Sequence, residues 1–133
     1  LREIISMKQN NIRFVLGLIA DQSPSRSEKL VYLPFLNQNT PALLGPEKIA
    51  RRTNDVVVFL EMSRPRRGHY HIKVVPLFED AQSTVDMEIT KTYMKHLEQM
   101  ILKTPHLWLW SHKRWKYAKN RVPDNQPSDE NRK

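Results

Sequence analysis

Cysteine is absent from this chain of 133 residues, which excludes disulfides, thiolate zinc sites and a cysteine nucleophile. Glycine occurs only three times, too rarely to build a glycine-rich phosphate loop. The longest uninterrupted apolar run, residues 14–20, has seven residues, whereas a helix that spans a bilayer needs roughly 20. No signal peptide is predicted, because no basic segment followed by an apolar run stands at the start. The chain is 39% hydrophobic and 27% charged, which is typical of one small folded domain.

Negative charge is scarce in two places. The net charge is +8, from 22 Lys+Arg and 14 Asp+Glu, and residues 62–78 and 104–123 contain no acid. These two stretches hold the basic residues Arg64, Arg66, Arg67, Lys73, Lys113, Arg114, Lys116, Lys119 and Arg121. Such a surface favours an anionic partner, whether phosphate, anionic lipid, nucleic acid or an acidic protein. The alternative is a solvated basic face that only keeps the chain soluble.

Hydrophobic periodicity and turn residues predict an α/β fold. Apolar runs predict strands at 13–20, 30–36, 56–62 and 69–77, of which the first and third are buried and the last two form a hairpin. Helical spacing and capping residues predict helices at 2–10, at 86–103 and from Thr40-Pro41 to about residue 52. The order of elements predicts a partial α/β/α sandwich with a mainly parallel mixed sheet, covering helices and a carboxyl-terminal helical segment. Residues 1–117 form that domain, and residues 118–133 are predicted to be a disordered polar tail.

Histidine is the residue on which acid–base chemistry would depend, and the chain has five. His69 and His71 share one face of a predicted strand, but no third ligand accompanies them, so no metal site is predicted. Acyl transfer to a hydroxyl needs a base, usually a histidine oriented by a carboxylate. No histidine here is followed by Asp or Glu after four intervening residues, and no serine elbow occurs. The sequence therefore indicates no complete catalytic group and no cofactor.

Two segments combine residues in unusual ways. Residues 19–24 place Asp21, Gln22 and Ser23 at the carboxyl end of a predicted buried strand, where open α/β sheets bind ligands. An ordinary turn capped by Asp21 would have the same composition. Residues 105–116 mix tryptophans with cations, a combination that stacks on nucleic-acid bases or lies at a membrane interface. Alternatively, two of the tryptophans belong to the core and the cations extend from it to the surface.

Five short motifs follow one another along the chain. They are Ala-Asp-Gln-Ser-Pro at 20–24, Leu-Pro-Phe-Leu at 33–36, Ile-Ala-Arg-Arg-Thr at 49–53, the valine-rich strand at 56–61 and Leu-Trp-Ser-His-Lys-Arg-Trp-Lys at 109–116. In order and spacing they resemble the bacterial lipid A biosynthesis acyltransferases (the lauroyl and myristoyl transferases), within the wider glycerophospholipid acyltransferase fold. The resemblance covers roughly residues 13–116, and the chain resembles the carboxyl-terminal half of such an enzyme.

The resemblance implies where substrates bind. The family's catalytic motif, a histidine followed after four residues by aspartate, would precede residue 1, as would its membrane anchor, so we expect the chain by itself to be inactive. Asp21, Gln22 and Ser23 correspond to the Glu-Gly-Thr block that helps hold the acceptor's phosphate in the wider fold. Arg26 would supply the cation, and Arg64 completes the predicted substrate-binding set. The predicted contacts with a membrane or another anion are Trp108, Trp110, Lys113, Arg114, Trp115 and Lys116.

The implied activity is transfer of an acyl chain from acyl carrier protein to a hydroxyl of a lipid A precursor, at the cytoplasmic face of the bacterial inner membrane. The implied partners are acyl carrier protein, a phosphorylated glycolipid acceptor and an anionic membrane surface, and nucleic acid is not among them. The residues alone leave another class open. This alternative is a non-enzymatic basic α/β module that binds nucleic acid or another anionic partner through residues 108–116.

Overall fold

The computed structural model describes residues 1–24 and 31–116. Within them lie α1 (Arg2–Gln9), β1 (Val31–Phe35), β2 (Gln38–Ala42), α2 (Gly45–Thr53), β3 (Val57–Arg66), β4 (His69–Phe78), α3 (Glu88–Lys103) and a 3-10 turn (Pro105–Leu107). Arg26 and the predicted tail at 118–133 lie outside the described residues. None of the helices in the described part is long and apolar enough to cross a bilayer.

The β1–β2 hairpin is closed by a two-residue turn. Leu36 and Asn37 both adopt left-handed backbone conformations, with φ of 48° and 58°, as a tight hairpin turn requires. Phe35 therefore pairs directly with Gln38, and the strands run antiparallel. The backbone N–H of Leu36 donates to Glu98 Oε1 on α3 at 2.5 Å, which attaches the turn to that helix.

The β3–β4 hairpin is longer and turns at Gly68, whose φ is +77°. Its inner face lies against α3, where the Phe59 ring lies 5.8 Å from the His96 ring. Its outer face is apolar and exposed, and it comprises Val58, Leu60, Met62, Ile72 and Val74. The register places Leu60 beside Val74 and Met62 beside Ile72, so these exposed side chains form one continuous surface.

The core lies between α3 and the β1–β2 hairpin. It consists of Leu33, Phe35, Ala42, Met94, Leu97 and Ile101. The helix α2 is joined to α3 by a buried carboxylate: Glu47, only 3% exposed, accepts hydrogen bonds from the N–H of Met87 and from the N–H and hydroxyl of Thr90. Since no side chain of its own caps α3, Glu47 satisfies donors at the start of that helix.

The predicted parallel sheet is wrong for the described residues, which form two separate antiparallel hairpins. Short turns explain this, because two residues can connect antiparallel strands but not parallel ones. The run at 13–20 is not a buried strand: it lies outside any ladder and is largely exposed, with Val15 at 96%. No strand among the described residues pairs with this run, so most of its apolar side chains stay exposed.

The helix predicted from Thr40-Pro41 begins later. Thr40 and Pro41 are buried residues of β2, and α2 starts at Gly45 with Pro46 in its first turn, where proline fits well. The other predicted elements are confirmed within a few residues: the first helix as α1, the edge strand as β1, the hairpin as β3–β4 and the long helix as α3. The predicted burial of the strand at 56–62 is wrong, because Val58, Leu60 and Met62 are exposed on the outer face of the hairpin, which no described element covers.

Candidate functional site

The two segments singled out in the sequence meet in space. We call residues 20–24 the Asp21 loop and residues 108–116 the tryptophan segment. The backbone N–H of Ser23 donates to His112 Nε2 at 3.1 Å. The Ser23 hydroxyl lies 2.6 Å from the carbonyl oxygen of Arg114 and 2.9 Å from that of Lys113, both of which accept from it. Ser23 and Lys113, which are 90 positions apart in the sequence, are thus in direct contact, and the loop and the segment form one structural unit.

Tyr93 of α3 holds the other end of the Asp21 loop. Its hydroxyl donates to the carbonyl oxygen of Ala20 at 3.1 Å. Burial raises the pKa of Tyr93 to about 12; the positive charge of Arg114 opposes this rise, and the negative charges of Asp21 and Glu47 add to it. The phenol is therefore a proton donor across the physiological pH range. It fixes the point where the extended run ends and the loop begins.

Arg114 is the buried centre of this unit. Its side chain is 0% exposed, and its guanidinium lies 6.0 Å from the centroid of the Phe35 ring, within reach of a cation–π interaction. Its Nε, Nη1 and Nη2 atoms have no hydrogen-bond acceptor in the part of the chain that the structure describes. Burial lowers the pKa of Arg114, while the nearby Tyr93 and Asp21 favour its charged form.

Trp115 and Trp108 belong to the protein interior rather than to an exposed aromatic surface. Trp115 Nε1 donates to the buried Thr40 hydroxyl at 2.8 Å, and its ring lies 6.5 Å from that of Phe35. Trp108 is also partly buried and packs against the core cluster. Two of the three tryptophans therefore stabilise the fold, which is the alternative left open by the sequence.

Among the six residues of the tryptophan segment that were predicted to contact a membrane or anion, Trp110, Lys113 and Lys116 are exposed. Trp110 is 54% exposed and is held by a hydrogen bond from its Nε1 to the carbonyl oxygen of Pro105 at 2.7 Å. Arg114 was predicted to contact a membrane or anion from the surface, and its complete burial contradicts that placement. The predicted contact stays a prediction for the three exposed side chains.

The predicted substrate-binding residues are only partly together. In the Asp21 loop, Asp21 is half-buried and Gln22 is exposed. The N–H and the hydroxyl of Ser23 both donate to residues of the tryptophan segment, so neither is free to bind a substrate. Arg64 is exposed on β3, in the other hairpin, and no hydrogen bond or ion pair connects it with the Asp21 loop among the described residues. Arg26 falls outside the described residues, so its predicted place beside Asp21 stays a prediction.

The histidines do not form a catalytic or metal site in the described part of the chain. His112 uses Nε2 to accept from Ser23, His69 contacts the Arg66 side chain, and no histidine there is hydrogen-bonded to a carboxylate. Three or more potential ligands nowhere converge within residues 1–24 and 31–116. The arrangement can position the Asp21 carboxylate, but the described residues contain no histidine–carboxylate pair of the kind that activates a hydroxyl.

The sequence reasoning missed His112, Tyr93 and the burial of Arg114. For His112 a signal existed, since it lies inside the last of the five motifs, yet it was considered only as a ligand or base. For Tyr93 no signal existed, because helical spacing can assign a residue to one face of a helix but says nothing about what its hydroxyl binds.

One of three comparisons with known proteins found a match. The model of the family described as bacterial lipid A biosynthesis acyltransferase matches residues 1–117, which include both hairpins, the Asp21 loop and the tryptophan segment. Comparisons with curated proteins and with solved structures found no match. Because the family model matches well over half of its length, the chain belongs to the bacterial lipid A biosynthesis acyltransferase family.

Proposed function

We propose that the enzyme to which these residues belong transfers an acyl chain from acyl carrier protein to a hydroxyl of a lipid A precursor. The observation that carries the proposal is the meeting of the Asp21 loop with the tryptophan segment. Two motifs of the family, far apart in sequence, support one another through three hydrogen bonds. The described residues hold no histidine–carboxylate pair, so this part of the enzyme supplies substrate positioning rather than proton transfer.

Asp21 is the residue through which the loop would act. It is half-buried and makes no hydrogen bond with the described residues, and its negative charge opposes the lowering of the pKa of Arg114 by burial. A carboxylate held in this way is available to accept hydrogen bonds from the hydroxyl or amide groups that flank the acceptor's phosphate. Arg26, five positions after Asp21 in the sequence, would supply the cation for the phosphate itself.

Replacing Asp21 with alanine is expected to lower acyl transfer at least about tenfold, because one charge-assisted hydrogen bond to the acceptor is lost. Arg26→Ala should lower it similarly. Asp21→Ala should not shift the unfolding midpoint much, because Asp21 is half-buried and is hydrogen-bonded to no described residue. The assay follows acyl transfer from acyl carrier protein thioester to a phosphorylated lipid A precursor by the enzyme that carries this chain.

Glu79→Ala provides the matched control, since it removes an exposed carboxylate outside the site. It should leave the rate unchanged. If Asp21→Ala and Arg26→Ala both retain the rate of the Glu79→Ala control, the Asp21 loop does not bind the acceptor.

We further propose that the protein works at the cytoplasmic face of the inner membrane, with Trp110, Lys113 and Lys116 near the lipid headgroups. Each lysine near an anionic leaflet contributes about 1 kcal/mol, and a Trp ring favours the headgroup level. Lys113→Gln/Lys116→Gln should therefore weaken binding to anionic vesicles roughly thirtyfold before salt screening. Co-sedimentation with vesicles of anionic and of neutral lipid measures this, and neutral vesicles should show little change.

The matched control is Lys91→Gln/Lys95→Gln, which removes the same charge from the exposed side of α3. If both double variants lose vesicle affinity equally, the attraction comes from net charge alone and the tryptophan segment has no special part. Nucleic-acid binding, the alternative function, is less well supported, because stacking needs exposed rings and only Trp110 among the three tryptophans is exposed.

A further inference from the structure

Arg114 is an unusual cation. Among the described residues it is the only arginine that is fully buried, and none of its three guanidinium nitrogens has a hydrogen-bond partner there. Burying an unpaired charge is strongly unfavourable, and buried polar groups without partners are rare enough to call for an explanation. The Phe35 ring at 6.0 Å gives only partial compensation.

The Asp21 loop is bound directly to Arg114: the Ser23 hydroxyl donates to the Arg114 carbonyl oxygen at 2.6 Å, and Asp21 stands two residues before Ser23. Burial lowers the pKa of Arg114, and the charges of Tyr93 and Asp21 act against that shift. Arg114 thus acts on the loop in two ways, by its side-chain charge and by its carbonyl oxygen. Both act on the segment that carries the proposed substrate contact.

We propose that Arg114 is a positioning residue for the Asp21 loop: its buried positive charge attracts the Asp21 carboxylate, its carbonyl oxygen binds Ser23, and together they fix the direction in which Asp21 meets its substrate. The benefit of this positioning for catalysis rests on the proposed function. The positioning itself is independent of that function, because the order of the Asp21 loop can be measured without any substrate.

The unfolding midpoint and the amide exchange rate of Ser23 together distinguish a positioning role of Arg114 from a purely packing role. Arg114→Met removes a buried charge that has no hydrogen-bond partner among the described residues while keeping much of the volume, so the unfolding midpoint should stay the same or rise. The Asp21 loop should nevertheless open more often, and the Ser23 amide should exchange with solvent about tenfold faster. Arg114→Lys keeps the charge and should restore exchange to nearly the original rate. Amide exchange of Ser23 is followed by NMR.

The partner of the charge is tested by a double-mutant cycle. Asp21→Asn alone should accelerate Ser23 exchange about as much as Arg114→Met does, and the double variant should be no faster than either single one. Since Asp21 is half-buried and unbonded, Asp21→Asn keeps the test valid even if Arg114→Met fails to fold. Lys113→Met is the matched control, because it removes an exposed cation next to Arg114 and should leave Ser23 exchange unchanged.

Additive effects of Asp21→Asn and Arg114→Met would overturn the proposal, as would equal loosening by Arg114→Lys and Arg114→Met. So would unchanged Ser23 exchange in Asp21→Asn. Failure of the proposed function is distinguishable: coupling between Asp21 and Arg114 with no loss of acyl transfer in Asp21→Ala would leave the positioning intact and refute the substrate role.

Discussion

Replacing Glu47 with alanine is expected to lower the free energy of unfolding by about 3–5 kcal/mol, because the change removes one side of a buried charged network. The carboxylate accepts from the Met87 N–H at 2.6 Å and from the Thr90 N–H and hydroxyl at 2.9 and 2.5 Å. All three donors belong to the start of α3, where the helix dipole also favours a negative charge. Without Glu47 they would be enclosed and unpaired. Urea unfolding followed by far-UV circular dichroism measures the loss.

Two further variants test this explanation. Glu47→Gln keeps an acceptor oxygen and the side-chain volume but loses the charge, so it should cost only about 1–2 kcal/mol. Glu79→Ala, which removes an exposed carboxylate, should change the free energy by no more than about 0.5 kcal/mol. A loss below about 1 kcal/mol in Glu47→Ala would mean that water replaces the carboxylate at the start of α3.

Replacing Trp115 with alanine is expected to cost about 3–5 kcal/mol, a value typical of large aromatic side chains packed in a core. The ring packs on Phe35, and its N–H binds the Thr40 hydroxyl, which is fully buried. Trp110→Ala, by contrast, should cost no more than about 1 kcal/mol, because that ring is mostly exposed. Urea unfolding compares the two directly.

Trp115→Phe separates the two contributions. It keeps an aromatic ring beside Phe35 and removes the donor to Thr40, so it should cost about 1–2 kcal/mol. If Trp110→Ala proved the more destabilising change, or if Trp115→Ala weakened vesicle binding without affecting stability, Trp115 would be an interfacial residue as the basic and aromatic composition first suggested.

Local pattern was enough to predict α3 and the β3–β4 hairpin, because helical spacing and strand alternation are properties of neighbouring residues. It was also enough to single out the Asp21 loop and the tryptophan segment by their composition. The strand predicted at 13–20 is wrong because burial depends on distant residues rather than on neighbouring ones. An apolar run indicates only that a segment can be buried, and burial needs a partner that the described residues do not provide.

The contacts that define the site were beyond sequence reasoning. Glu47 occupies the first turn of α2, where an acid is expected for that helix, yet its donors lie on α3, 40 and 43 residues away. Arg114 stands in an acid-free basic run, so its composition predicted a surface position. In the fold it is nevertheless fully buried, with its guanidinium 6.0 Å from the Phe35 ring of the distant β1–β2 hairpin. Such long-range contacts leave no periodic signal in a single sequence.

The long β3–β4 hairpin has a thermodynamic consequence. Its far half, residues 62–74, is exposed on both faces, and only the end near Phe59 packs against α3. A two-stranded ribbon is marginally stable without such packing. The far half therefore belongs to a different cooperative unit from the helix-covered core and can melt while the core stays folded. We therefore expect unfolding in more than one step, with the free energies quoted above describing the core unit.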